Sequence, residues 1–224
     1  MIKRARNKTH KKQMESKVGS PYSASFTGCS FMYSEFNAIL PILMDENAEE
    51  KIKQEIQEHK YLKVNTETAS KRVLAEFKKR YNAVPGDFWM WYRSLNEQAQ
   101  KAALLYVILK AYLLLFEFHT GTTVRKWHSV NRTLGTNDIM GAYYEIAAKD
   151  EFVDSWSDQT RRKLVSSYIT ILCQSGMMNR ESGMLIPIKL AAADYSWYLL
   201  NGESWFLEAC LLYPYEIDEI KQSF

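Results

Sequence analysis

Apolar residues return every three or four positions along most of this chain. That is the period of helices burying one face, so the pattern predicts a mainly α fold built of helical bundles. The clearest case lies at 158–174. Leu164, Val165, Tyr168, Ile169, Ile171 and Leu172 form one stripe, and Lys163, Ser166, Ser167, Thr170 and Gln174 occupy the opposite face. Ser157 or Asp158 can cap the start, because a short side-chain oxygen accepts a free backbone N–H there. Gly176 suits the left-handed conformation that ends helices. Beyond it, Met177–Met178, the turn residues 179–183 and Met184–Ile186 read as strand, turn, strand. A helix followed by a short β-hairpin is the outline of a winged helix, which is expected in the C-terminal half.

The same period predicts the other elements. A first helix runs through Tyr22–Leu40, with Phe26, Cys29, Phe36 and Ile39 inward and Pro41 near its end. A second follows Asp45, with Ala48, Ile52 and Ile56 as a narrow stripe. Asn65 or Thr66 caps a third, which turns Val73, Leu74 and Phe77 inward and Lys71, Arg72, Lys78, Lys79 and Arg80 outward. Pro85-Gly86 interrupts the chain, Phe88–Leu95 forms a short aromatic helix, and Glu97–Phe118 reads as one long buried helix. Asp138–Ala148, Ile188–Leu200 and Glu203–Leu212 complete the set, closed by Pro214. The polar, basic residues 120–136 mark a connector between an N-terminal helical domain, 21–119, and a C-terminal domain, 137–224. Residues 1–20 read as a disordered basic tail.

Composition narrows the picture. Only 9 Gly and 5 Pro in 224 residues disfavour a loop-rich all-β fold. Cys29, Cys173 and Cys210 cannot all pair and each sits among apolar residues, as reduced thiols of a cytoplasmic protein would. The longest apolar stretch, Ala102–Phe118, is shorter than the roughly 20 residues a membrane span needs and contains Lys110, so no membrane association is expected. The net charge is only +3 but unevenly spread. Residues 60–81 hold seven Lys/Arg against Glu67 and Glu76, whereas 194–224 hold six acids against Lys221. Such segregation is what a polyanion-binding face requires, although solvated helix faces produce it too.

Catalytic signatures are not apparent. The sequence has no glycine-rich phosphate loop, and His10, His59, His119 and His128 lie far apart, so neither cofactor nor metal is expected. Gly28-Cys29-Ser30 lacks the strand context of a nucleophile elbow. Glu117 near His119 reads as a surface or satisfied core pair. A non-enzymatic role follows.

Three segments carry a resemblance. They are Tyr22-Ser-Ala-Ser-Phe-Thr-Gly28 with Phe31-Met-Tyr-Ser-Glu-Phe36, then Asn65-Thr-Glu-Thr-Ala-Ser-Lys-Arg72 with Arg80-Tyr81, then Trp156-Ser-Asp-Gln-Thr-Arg-Arg162 leading to Leu172 and Gly176. In this order the chain resembles the BrxA family of bacteriophage-exclusion (BREX) defence systems over about residues 20–215. The resemblance implies a mostly helical, NusB-like protein associated with DNA and without a catalytic role. It would act beside a methyltransferase, an alkaline-phosphatase-like protein and ATPases. It carries over no contact residues, and the basic tail lies outside it.

The leading expectation is therefore a DNA-binding accessory protein that grips phosphates with weak sequence preference. Two places are candidates. One is the polar face at 160–174, with Arg162, Lys163, Ser166 and Thr170, and Arg180 on the hairpin. The other is the basic helix with Lys71, Arg72, Lys78 and Lys79; Arg125 and Lys126 of the connector join them. Salt bridging to neighbours such as Asp158 is the alternative for Arg161 and Arg162. The competing readings are RNA as the ligand, or a scaffold for other defence proteins. The scaffold would use part of the aromatic set Trp89, Trp91, Tyr92, Trp156, Trp197, Tyr198, Trp205 and Phe206, which otherwise packs the core.

Overall fold

Local capping chemistry sets several helix starts. Thr66 accepts the Ala69 N–H at the start of a helix over Glu67–Tyr81, and Ser157 accepts the Thr160 N–H at the start of Asp158–Gln174. A computed structural model describes residues 19–64 and 66–224, so the expected tail and Asn65 lie outside the described residues. The helices are α1 (Tyr33–Leu43), α2 (Ala48–Glu58), α3 (Glu67–Tyr81), α4 (Gly86–Ser94), α5 (Glu97–Ala111), α6 (Leu113–Phe118) and α7 (Val124–Trp127). After them come α8 (Thr136–Ala147), α9 (Glu151–Asp154), α10 (Asp158–Gln174), α11 (Ser196–Leu200), α12 (Trp205–Ala209) and α13 (Pro214–Gln222). A 3-10 turn covers Ser25–Gly28, and a π-helical turn, His119–Thr123, joins α6 to α7. The mainly α expectation holds.

The core is one hydrophobic cluster fed by both halves of the chain, from Phe26 to Leu212. Helix α5 passes through it: Leu104, Leu105, Tyr106, Val107, Ile108 and Leu109 are all fully buried, so the middle of this helix is apolar on every side while Glu97, Lys101 and Lys110 mark its ends. Much of the aromatic set packs here too. Phe88 meets Trp197 edge to face at 4.8 Å, and Tyr106 touches Tyr198, Trp205 and Phe206. Trp91 and Trp156 remain half-buried.

Several expected elements differ. The single helix over 97–118 is broken at Tyr112, whose φ of −125° and ψ of 106° are extended, and α5 meets the following helical run at 112°. Neither Pro nor Gly marks the break. Tyr112 closes both ends, donating its N–H to Ile108 and accepting from Phe116 N–H, while its hydroxyl donates to Glu76 at 2.6 Å. Tertiary packing imposes this bend. Among the described residues no single helix is long and apolar enough to cross a membrane. The connector expected at 120–136 is helical as far as Trp127, because Thr123, Val124 and Trp127 are buried. The helix expected from Tyr22 is a 3-10 turn and a loop up to Met32. Pro214 follows the end of α12 and also opens a further helix, α13, that was not expected, since proline at a first helical position lacks only an N–H that would be unpaired anyway.

The expected hairpin, and with it the winged-helix outline, does not form. Among the described residues there are no strands, only isolated bridges between Met178 and Leu185 and between Thr133 and Met184. The turn closes on Asn179 side-chain bonds to Glu181 and Ser182 N–H, and Gly183 N–H donates to Asn179 O. Gly183 has φ 68°, and a β-carbon there would fall 2.8 Å from Leu134 O, so the 131–134 segment presses against the turn's outer edge. There Leu134 N–H donates to Gly183 O and Leu185 N–H to Arg132 O. Ile186 N–H to Met177 O and Asn179 N–H to Met184 O span the turn itself, a pairing too short to make strands. Gly176 behaves as expected. Its φ is 84°, and Met177 N–H to Leu172 O with Gly176 N–H to Cys173 O complete the six-to-one and five-to-two closure of α10.

Candidate nucleic-acid interface

The 3-10 turn at Ser25–Gly28 is the hinge point of the candidate site, because both α3 and α10 pack against it. These two helices carry most of the cationic residues singled out from the sequence. The turn and the loop after it are held by Arg80, which was expected outside and is instead fully buried. Its guanidinium donates to Cys29 O and Phe31 O, each at 2.9 Å, and to Ser30 O. A loop with three inward carbonyls needs a multi-pronged donor, and a planar guanidinium supplies one. That is the signal the sequence hides: one arginine among five basic residues on α3 is a structural clamp.

The other basic residues of α3 divide by face. Lys71 pairs with Glu67 at 3.4 Å, and Lys78 pairs with Glu49 of α2. Arg72 and Lys79 turn instead toward the Ser25–Phe31 segment. Arg72 Nε lies 3.2 Å from where a Gly28 β-carbon would sit, and Arg72 is exposed without an ion-pair partner among the described residues. Lys79 Nζ sits over the Tyr112 ring at 4.4 Å. Partial burial pushes the Lys79 ammonium below the usual lysine range, Glu76 opposes this, and Arg80 adds to it.

On α10, Arg162 and Lys163 are exposed and make no ion pair among the described residues. Their neighbour Arg161 is occupied, near Asp158 at 3.5 Å and over the Tyr143 ring at 5.5 Å, so the salt-bridge alternative applies to it and not to Arg162. Ser166 is exposed one turn further on, but Ser167, expected on the polar face, is buried. Thr170 gives its hydroxyl hydrogen to Ser166 O at 2.9 Å and so presents only lone pairs outward.

A groove of about 930 Å³ runs where the Gly28–Glu35 segment faces Thr170, Cys173 and Gln174. Lys101 also lines it but is paired with Glu97 at 2.6 Å. Burial pushes the Cys173 thiol above its usual range, with the nearby Arg180 charge pulling the other way; Arg180 itself is exposed. Arg72, Lys79, Arg162 and Lys163 thus sit on the two helices that meet at the Ser25–Gly28 turn, and Arg180 lies beyond the end of α10, close to the groove residue Cys173. Lys126 is engaged by Asp138 at 2.8 Å, and Arg125 lines a different cavity.

Beneath α10 lies a buried polar relay that the sequence does not reveal; His119, expected with Glu117 as a surface or satisfied core pair, is buried and satisfied by other partners. His119 Nε2 donates to Ala209 O at 2.8 Å, which leaves Nδ1 to accept from the Tyr168 hydroxyl at 3.0 Å; that hydroxyl in turn accepts from Thr123 at 2.7 Å. Full burial pushes the imidazole down to about 4. The relay ties the π turn, α10 and α12 together. Among the described residues no three His, Cys, Asp or Glu side chains gather as metal ligands would.

The BrxA family profile matches residues 20–193. The chain is similar to "BREX protein BrxA" of Bacillus cereus (strain H3081.97), 24% identical over 162 residues, which cover 72% of this chain and 81% of that one. Its fold resembles the crystal structure of an uncharacterized protein from Magnetospirillum magneticum, with a TM-score of 0.74, 18% identity, and coverage of 85% of this chain and 98% of that one.

Proposed function

Because this chain belongs to the BrxA family, we propose that it is a non-enzymatic, DNA-binding accessory protein of a BREX-type defence system, acting beside other components of that system. One observation carries the DNA-binding part. Arg72, Lys79, Arg162 and Lys163 are exposed, lack ion-pair partners among the described residues, and sit on the two helices that pack against the Ser25–Gly28 turn. Arg180, exposed and unpaired among the described residues as well, lies just beyond the end of α10 near Cys173. Uncompensated cations on one surface displace the counterions of a polyanion. Ser166 adds an exposed hydroxyl that can donate to a phosphate oxygen and carries little base information, so sequence preference is weak. Thr170, whose hydroxyl hydrogen is committed to Ser166 O, lines the groove without adding a donor. Duplex-binding titrations of two charge-reversed sets, Arg72 with Lys79 and Arg162 with Lys163 and Arg180, test this at low salt. Each set should weaken binding with the fold intact. Unchanged affinity in both would refute the interface, and preference for structured RNA over duplex would reassign the ligand.

A protein-docking role has its own support. Tyr144 and Phe152 are each 53% exposed, and Phe152 lies 5.7 Å from the half-buried Trp156, so α8 and α9 present an aromatic patch. Loss of co-purifying BREX components from a Tyr144→Ser, Phe152→Ser variant that still binds DNA would favour it.

A further inference from the structure

A separate cavity of about 320 Å³ lies where the π turn, α6, α7 and α8 meet. Leu113, Phe116 and Ile146 give it an apolar floor. Its rim is charged in both signs: Arg125 and Lys149, Glu117 and Glu145. Glu117 is held by the Tyr22 hydroxyl, which donates to its Oε2 at 3.0 Å. Among the described residues Arg125, Glu145 and Lys149 enter no ion pair, although Glu145 and Lys149 stand four apart, the spacing at which Glu67–Lys71 and Glu97–Lys101 do pair. Charges of both signs left without ion pairs around an apolar floor match a ligand that carries an anionic group and hydrogen-bond donors on a flat apolar body. The wall at Gly121 and Thr122 comes from the π turn, a rare form that recurs at functional sites. A side chain added at Gly121 meets nothing within 4 Å, so the wall is open there.

We propose that this cavity binds a nucleoside monophosphate whose base carries an amino group. The phosphate lies against Arg125 and Lys149, and the flat base covers Leu113, Phe116 and Ile146. Glu117 and Glu145 accept from the exocyclic amine, the pairing by which carboxylates read cytosine and related edges. Two carboxylates repel extra phosphates, so a monophosphate fits better than a triphosphate. Thymine presents carbonyls flanking its N3–H and meets the carboxylates unfavourably. The volume falls at the lower end of small-molecule sites. This inference goes beyond DNA binding and uses none of the five interface cations.

Calorimetric titration of the full chain with dCMP, dGMP, dAMP, dTMP and dCTP tests it. Binding of the three amino-bearing monophosphates is expected, with dTMP about tenfold weaker, as one lost base contact gives. Gly121→Leu should fold, melt like the parent, and lose nucleotide binding by about tenfold or more while duplex affinity stays unchanged. Glu145→Gln should narrow the gap between dCMP and dTMP. Absence of heat with every nucleotide, equal binding of dTMP, or binding that survives Gly121→Leu overturns the assignment. Loss of duplex binding in Gly121→Leu would also overturn it, because the cavity would then be part of the interface.

Discussion

Arg80 shows how a single side chain changes meaning between sequence and structure. Its place in a basic run reads as surface charge, yet it is fully buried and ties down the carbonyls of Cys29, Ser30 and Phe31. Removing it would leave those acceptors unpaired and the α3–loop junction unsupported. Arg80→Ala should therefore cost about 3 kcal/mol in urea unfolding, whereas Arg72→Ala should cost little. His119 gives the second residue-scale prediction. Its native value near 4 lies below the unfolded value of 6.5. Above pH 6.5 both states are neutral and its contribution is complete. As pH falls toward 4 the unfolded chain takes the proton and the folded one does not, so about 3 kcal/mol of stability is lost across that window. Unfolding free energies at pH 7.5 and 5 should differ less in His119→Gln than in the parent.

At the level of elements, helix α10 was legible from the sequence because every local cue agrees: the Ser157 cap, the apolar stripe, and Gly176 at φ 84°. Ser157→Ala should lower stability by about 1 kcal/mol, measured by thermal unfolding, with the helix retained. Helix α3 was legible from the Thr66 cap and its apolar stripe, and α4 from its aromatic spacing after Pro85. The break at Tyr112 was not, since its cause is the Glu76 contact and the need to bury two apolar segments against one core. The turn chemistry at 179–183 was legible, and Ile186 N–H to Met177 O and Asn179 N–H to Met184 O do span it, but the pairing stops at isolated bridges, so no strands and no winged-helix outline result. That the 131–134 segment bonds the outer edge, Leu185 N–H donating to Arg132 O, left no local pattern. Of the candidate site, the cations of α10 were legible as exposed positions. Their meeting with Arg72 at the Ser25–Gly28 turn was not, because residues about 90 to 140 positions apart share no local pattern.

Across the whole molecule, a net charge of +3 understates what a polyanion would meet. Lys71, Lys78 and Lys126 have carboxylate partners, and Arg80 faces carbonyls inside. Of the six other candidate cations, Arg72, Lys79, Arg162 and Lys163 stand on the two helices joined by one turn, Arg180 lies just beyond the end of α10, and Arg125 lines a separate cavity. The His119–Tyr168–Thr123 relay fixes α10 from within. Phosphate-led binding on such a face must weaken as salt rises, by about one unit of log–log slope for each cation engaged. The most direct measurement is the salt dependence of duplex DNA affinity for the parent and for a variant with Arg72, Lys79, Arg162, Lys163 and Arg180 changed to Gln. The parent should show a steep slope and the variant one shallower by about three to five units. Equal slopes in two folded proteins would contradict the account.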